Sequence, residues 1–182
     1  KSKIDNSSPK VTRQVDYASR ALGSKVFLHG TSPSYNSGLM SRLNPFSPKA
    51  KQPSVVFKES GKLALGDCWS FQGSTGHISV LLAAPVIPTH FEIEHIGNMD
   101  GLLRNSAPRH VRIIAVDDRS EHLVAEYDYT LDGPAVQNFP ASLPLLQRPV
   151  NMIRLEILSN HGHPDYTCLY RFRVFSTVSK IQ

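Results

Sequence analysis

Long apolar runs are missing from this chain: no stretch of about eighteen apolar residues occurs, so no segment is built to cross a membrane as a helix. Cysteine is scarce as well. Cys68 and Cys168 are the only two, 100 positions apart, and without a CxxC they make neither a zinc site nor a redox motif. In a reducing compartment they would be two buried thiols. In an oxidising one they could pair, and closing so long a loop could stabilise the fold by up to roughly 4 to 5 kcal/mol in the chain-entropy model, less if strands already hold the ends together. A nucleophile-elbow motif, an internal repeat and a strand–helix alternation are also absent. Eight histidines are present, but the nearest pair, His161 and His163, has no third or fourth ligand spaced to complete a divalent metal site. The chain starts at Lys1 with neither a Met nor a signal-type apolar segment, and is expected to be a piece of something longer.

Charge of one sign is short in each half. Residues 1–66 hold 11 Lys/Arg against 3 Asp/Glu, a balance of +8, while residues 67–182 hold 9 against 12, a balance of −3. A basic front half can attract nucleic acid or acidic lipid heads. These lysines, however, are scattered through loops and are not interleaved with stacking aromatics, so they read as a solvated surface and not as a nucleic-acid interface.

What is there points to one all-β domain. The 182 residues suffice for one sizeable core, and thirteen prolines, eleven glycines and many short β-branched runs disfavour a helical body. Residues 1–8 read as linker. A short helix is expected over 9–23, with Ser8 as N-cap, Pro9 at the first helical position, a stripe of Val11, Val15, Ala18 and Leu22, and Gly23 as left-handed stop. So narrow a stripe needs a partner, either the domain or copies of itself in a coiled coil. Strands are expected at Lys25–Leu28, Ser54–Phe57, His77–Ala83, Thr89–His95, Val111–Val116, Leu123–Tyr129, Val150–Leu158 and Tyr166–Phe175. Polar turns such as Asp132-Gly-Pro134 separate them, which argues for a compact antiparallel β-sandwich over 24–178.

Two loops stand out. Residues 36–53 set Leu39, Met40, Leu43 and Phe46 between prolines 45, 48 and 53, and apolar groups on a proline-broken loop suit either a lid over a partner or a loop tucked on its own core. The loop of about 58–68 carries two glycines, and its backbone carbonyls from Lys58 to Asp67 could wrap a cation, although no carboxylate cluster suggests calcium. Asp67-Cys-Trp-Ser-Phe-Gln-Gly73 reads as core and close-packed loop. The last long strand, preceded by a Gly-His-Pro turn, is expected to place Tyr166, Cys168, Tyr170, Phe172 and Val174 on one packed face. His95 ends an alternating strand at the core edge, and Ser106 follows a segment expected to be flexible, Asn98–Asn105. Each is unremarkable alone.

Taken together, Asp16-Tyr-Ala18, Gly66-Asp-Cys-Trp-Ser-Phe-Gln-Gly73, Glu94-His95, Ser106-Ala-Pro108, Tyr127-Asp-Tyr-Thr-Leu-Asp-Gly133, Gln137-Asn-Phe139 and Asn160-His-Gly-His-Pro-Asp-Tyr-Thr-Cys-Leu-Tyr-Arg-Phe-Arg-Val174 resemble the SUN domain, the C-terminal module of inner-nuclear-membrane proteins. The resemblance implies a β-sandwich that forms homotrimers on a preceding coiled coil and has no enzymatic activity. It implies a partner too: the C-terminal tail of a KASH protein of the outer nuclear membrane, bound in the perinuclear space so that the nucleus is coupled to the cytoskeleton. By that pattern His95, Ser106 and Tyr166 would surround the peptide carboxylate with Tyr170 close by, residues 36–53 would be the lid, and Cys68 and Cys168 would be an intramolecular disulfide. Loop 58–67 would hold a monovalent cation, potassium or sodium, and no other cofactor is expected. Many animal members carry a cysteine before the lid that can cross-link the peptide. Thr31 stands at the matching position here, so no such link is expected. A carbohydrate-binding β-sandwich and a hydrolase assembled across the fold are the rival classes; the cysteines look structural, which weighs against the second.

Overall fold

The register of the sheets follows from where the β-branched and aromatic residues alternate. The computed structural model describes residues 14–36, 50–59, 61–97, 102–117, 120–142 and 148–176. Eleven strands are present among them: β1 (Val15–Asp16), β2 (Lys25–Val26), β3 (Trp69–Gln72), β4 (Gly76–Val86), β5 (His90–Glu94), β6 (His110–Val116), β7 (Glu121–Asp128), β8 (Val136–Pro140), β9 (Val150–Ile157), β10 (Tyr166–Leu169) and β11 (Arg171–Ser176). They form a five-stranded sheet in the order β2-β4-β9-β6-β7, a four-stranded sheet β1-β11-β5-β8, and a two-stranded ladder β10-β3, all antiparallel.

Alternate residues of the large sheet (Ile78 and Val80 on β4, Ile153, Leu155 and Ile157 on β9, Val111 and Ile113 on β6) share one core with Phe91 and Ile93 of β5, Phe172 and Val174 of β11 and Phe139 of β8. Phe91 and Phe172 stack with ring centres 6.1 Å apart. Burying side chains of this size contributes about 1.5 to 3 kcal/mol each relative to leaving them in water, and this core holds the sandwich together. The all-β expectation stands.

Four local expectations are corrected. Over residues 14–23 there is no α-helix: Val15–Asp16 pairs with Phe175–Ser176, and a three-residue 3-10 turn, Arg20–Leu22, follows. The cause is Asp16. Its carboxylate accepts the Ala18 N–H (3.0 Å) and the Val174 N–H (3.1 Å), a local bond that competes with the helix ladder and a distant one that ties the segment to β11. Ala18 is buried as the stripe requires, but Leu22 is 52% exposed. Gly23 does stop the turn, at φ 100° with its N–H on the Arg20 carbonyl.

Residues Ser54–Phe57 are not a strand either. Pro53–Phe57 is a 3-10 helix, with Pro53 at its start, where a missing N–H costs nothing, and Pro53, Val56 and Phe57 buried. The strand expected at Lys25–Leu28 ends at Val26, because Leu28–Gly30 turns as another 3-10 helix. Finally, the last long strand is two. Tyr166–Leu169 pairs with β3, and Arg171–Ser176 pairs with β5 and β1, so Tyr170 is a switch between ladders. The alternation slips there: Leu169, Phe172 and Val174 enter the main core, while Cys168 and Tyr170 form a second cluster with Cys68. Residues 1–8, the first part of the expected helix, residues 98–101, and Leu39, Met40, Leu43 and Phe46 of the expected lid lie outside the described residues.

Candidate functional site

The site is built where β10 meets the turn before it. Asn160 is buried and ties that turn: its Oδ1 accepts the Gly162 N–H (2.9 Å), and its Nδ2 donates to the His163 carbonyl (3.0 Å) and to Thr167 Oγ1 (3.1 Å). Gly162 has φ 104°, a left-handed conformation that glycine adopts without steric cost. The turn delivers Tyr166 with its ring 4.0 Å from the His163 ring and 5.2 Å from that of Tyr35.

Ser106 is brought alongside by backbone bonds. The carbonyls of Asn105, Ser106 and Ala107, just after the helical turn Leu102–Asn105, accept the N–H groups of His163 (3.2 Å), Cys168 (2.8 Å) and His161 (3.2 Å). Underneath, Cys68 and Cys168 form a disulfide across Cα atoms 5.6 Å apart, so the pairing left open by the cysteine positions is made. Tyr170 completes the floor. It is buried, its hydroxyl accepts the Gly66 N–H (3.3 Å), and burial raises its pKa above the ordinary 10, so it stays a neutral phenol.

Ser106, Tyr166 and Tyr170 thus share one cavity of about 340 Å³ with both cysteines, walled by Tyr35, Lys51, Leu65 and Gly66. Asn36 and Ala50 also line it, so residues 37–49 are joined to its rim at both ends. The neck is fixed: Ser34 Oγ donates to the Lys51 carbonyl (3.1 Å) and accepts the Trp69 indole N–H (2.9 Å). Lys51 Nζ also reaches Asp67 at 2.6 Å, and that hydrogen bond holds the Asp67 carboxyl below its ordinary pKa.

His95 is placed differently. It lies behind the Tyr170 ring, edge-on at 4.8 Å, and faces a neighbouring cavity of about 650 Å³ with Arg104, Tyr129 and Asp132. It is only 2% exposed, and desolvation lowers its pKa to about 4, so the imidazole is neutral. Its Nδ1 is 3.3 Å from the Ile96 carbonyl, which can only accept; the proton therefore sits on Nδ1, and the buried Nε2, without a partner among the described residues, carries a lone pair. Such a nitrogen can receive a hydrogen bond but cannot give one to a carboxylate.

Residues 46–178 match the Sad1/UNC-like C-terminal family. The chain belongs to that family. Human SUN domain-containing protein 3 is 33% identical over 91% of this chain and 48% of its own length; the Caenorhabditis elegans nuclear migration and anchoring protein unc-84 is 36% identical over 93% of this chain and 16% of its own. The chain spans about half the length of the SUN domain-containing protein 3 relatives. In fold it is similar to the family 32 carbohydrate-binding module of Streptococcus pneumoniae EndoD, at 15% identity and a TM-score of 0.59 over 89% of this chain and 99% of that one. It is similar as well to the C-terminal domain of a Bacteroides fragilis chitobiase, at 12% identity and a TM-score of 0.61 over 91% and 99%. These likenesses concern the sandwich and not its site.

Within this SUN domain, loop 58–67 is held by the buried Arg171. Its guanidinium donates to the Glu59 and Gly61 carbonyls (3.1 and 3.2 Å) and pairs with Glu94 at 2.6 Å. Among the described residues no group of three His, Cys, Asp or Glu is placed to hold a metal ion. Thr31 is a structural pin: its hydroxyl donates to the Phe27 carbonyl (2.9 Å) and accepts the Ser79 N–H (3.1 Å). Sequence reasoning did not single out Tyr35, Lys51 or His163 as part of the site: Tyr35 and Lys51 arrive through long-range bonds that no spacing records, whereas His163 meets Asp165 and Tyr166 within one turn, and the Gly-His-Pro turn was the signal that could have found it.

Proposed function

We propose that this SUN domain is a binding module and not an enzyme. It captures the C-terminal peptide of a KASH protein in the perinuclear space, as a nuclear-envelope protein whose parent is anchored in the inner nuclear membrane. The observation that carries the reading is that Ser106 and Tyr166 line one cavity together with the Cys68–Cys168 disulfide, and that Asn36 and Ala50 line it too. Two hydroxyl-bearing side chains in a half-enclosed cavity suit a carboxylate, which accepts several hydrogen bonds and is recognised without a buried counter-charge. His95 contributes through the Tyr170 ring that it supports. Leu39, Met40, Leu43 and Phe46 cover the extended peptide as a lid, and the protein acts as a homotrimer with copies contributing neighbouring walls. A potassium or sodium ion held by carbonyls of loop 58–67 stiffens the wall that carries Gly66.

Calorimetry with one KASH C-terminal peptide in free-acid and amidated form tests this. A charge-assisted hydrogen bond is worth roughly 1.5 to 3 kcal/mol, so amidation should weaken binding by about tenfold to a hundredfold or more, and Tyr166→Phe should do so in part. Equal affinities for the two peptides would overturn the carboxylate reading. The fold shared with carbohydrate-binding modules supports no second reading, since identities of 12 to 15% speak of the fold alone.

A further inference from the structure

His163 has no role in the reading above, yet its ring does more than fill space. It is 8% exposed, packs at 4.0 Å against the Tyr166 ring, and directs Nδ1 at two consecutive backbone N–H groups, those of Asp165 and Tyr166, each at 3.3 Å. Backbone N–H groups can only donate, so Nδ1 must be an unprotonated acceptor and the ring's proton belongs on Nε2. The Asp165 N–H lies just before β10 and the Tyr166 N–H on its first residue, opposite Gln72. The carbonyl and N–H of His163 are themselves fixed, by Asn160 Nδ2 (3.0 Å) and the Asn105 carbonyl (3.2 Å). The imidazole therefore stands on a rigid base and sets both the direction in which the chain enters β10 and the tilt of the Tyr166 ring.

We infer that His163 is a positioning residue: through its Nδ1 acceptor it holds the Asp165–Tyr166 backbone, and with it the Tyr166 hydroxyl, in the place from which that hydroxyl meets the ligand carboxylate. The second half of this statement rests on the proposed function, and the first half does not. Two variants separate the acceptor from the ring. His163→Asn keeps an acceptor near the Nδ1 position and loses the ring, while His163→Phe keeps the ring against Tyr166 and loses the acceptor. Amide hydrogen exchange of Asp165 and Tyr166 should quicken by about tenfold or more in His163→Phe and stay near the wild-type rate in His163→Asn, because two modest hydrogen bonds are lost in one and replaced in the other. Affinity for the free-acid peptide should fall by a similar factor in His163→Phe and recover in His163→Asn, with the gap between free-acid and amidated peptides narrowing only in the Phe variant. Unchanged exchange in His163→Phe, or equal losses in both variants that follow their melting temperatures, would overturn the positioning role. Should the wild-type protein bind both peptides equally, the carboxylate reading fails, and the exchange rates still decide whether His163 sets Tyr166.

Discussion

Two histidines give this domain opposing responses to acid. His95 is neutral in the fold because burial lowers its pKa to about 4, whereas in the unfolded chain it takes a proton near its ordinary 6.5. Between those values the unfolded state binds more protons, so stability must fall as pH drops from about 6.5 toward 4, by up to roughly 3 kcal/mol in total. His110 works the other way. Held at 2.8 Å by both Asp128 and Glu126, it has a raised pKa, so its contribution is present below about 6.5 and is lost as pH climbs. Its site is solvated and screened, and the His95 effect dominates. The lowered carboxylates Asp67, Glu121 and Glu126 lose their stabilisation only below their ordinary values, and Asp16, raised by burial, gains stability as pH falls and so opposes His95; a fall in stability from pH 6.5 to 5 is therefore assigned to His95. Urea midpoints should fall across that window in the wild-type protein and be flatter in His95→Phe, which keeps a ring against Tyr170 and cannot charge. Equal slopes in the two proteins would show that another group carries the acid response.

At the scale of elements, the disulfide joins two ladders' worth of structure. Cys168 pairs in register with Ser70, two residues beyond Cys68, so the bond ties the start of β3 to the middle of β10 beneath the cavity floor. Replacing both cysteines by Ala should lower stability by about 2 to 4 kcal/mol in urea titrations and weaken peptide binding further than stability alone explains, because Tyr170 and Tyr166 pack on that floor. Unchanged affinity in the folded double variant would mean that the floor is held by the β3–β10 pairing alone. The elements that sequence made legible are those with one wet face: Ile78 and Val80, or Ile153, Leu155 and Ile157, repeat with a period of two because every other neighbour is more exposed or polar. The break at Tyr170 was not legible. Both faces of β10 and β11 are covered, and the change of partner is decided by Arg171 reaching Glu94 on β5 while Cys168 lies opposite Ser70 on β3. The N-terminal stripe misled for a similar reason: helical spacing of Val15, Ala18 and Leu22 says nothing of a carboxylate at position 16 that bonds to Val174. The candidate site was named through its resemblance to a family; the structure brings Ser106, Tyr166 and Tyr170 to one cavity and sets His95 at another, and that assembly was not legible. Ser106 is set beside β10 and the turn before it by the carbonyls of Asn105, Ser106 and Ala107, which accept the N–H groups of His163, Cys168 and His161 and are groups that every residue type carries.

For the whole molecule, the placement of β1 changes how assembly must be tested. Deleting residues 1–22 would remove Val15–Asp16 from the edge of β11 and the Asp16 bonds to Ala18 and Val174, so any loss of oligomer could reflect a damaged sandwich. A cut before Gln14 spares these contacts. Leu22 and Leu28 are 52% and 64% exposed in a single chain, on the short stretch that leads from β1 past β2. With Val15–Asp16 in β1 and Arg20–Leu22 in a 3-10 turn, residues 14–22 offer no helix on which copies could pair, so the register for assembly should come from residues ahead of Gln14 or from a coiled coil upstream of them. Light scattering should therefore find residues 14–182 monomeric and folded, with the same melting temperature as the full chain. On the proposed function, in which neighbouring copies complete the walls of each cavity, fusing a trimeric coiled coil ahead of Lys1 should convert the domain to a trimer and raise its affinity for the free-acid peptide. A trimer formed by residues 14–182 alone would place the assembly contacts within the sandwich. A fused trimer that binds no better than the monomer would mean that each cavity is already complete in one chain.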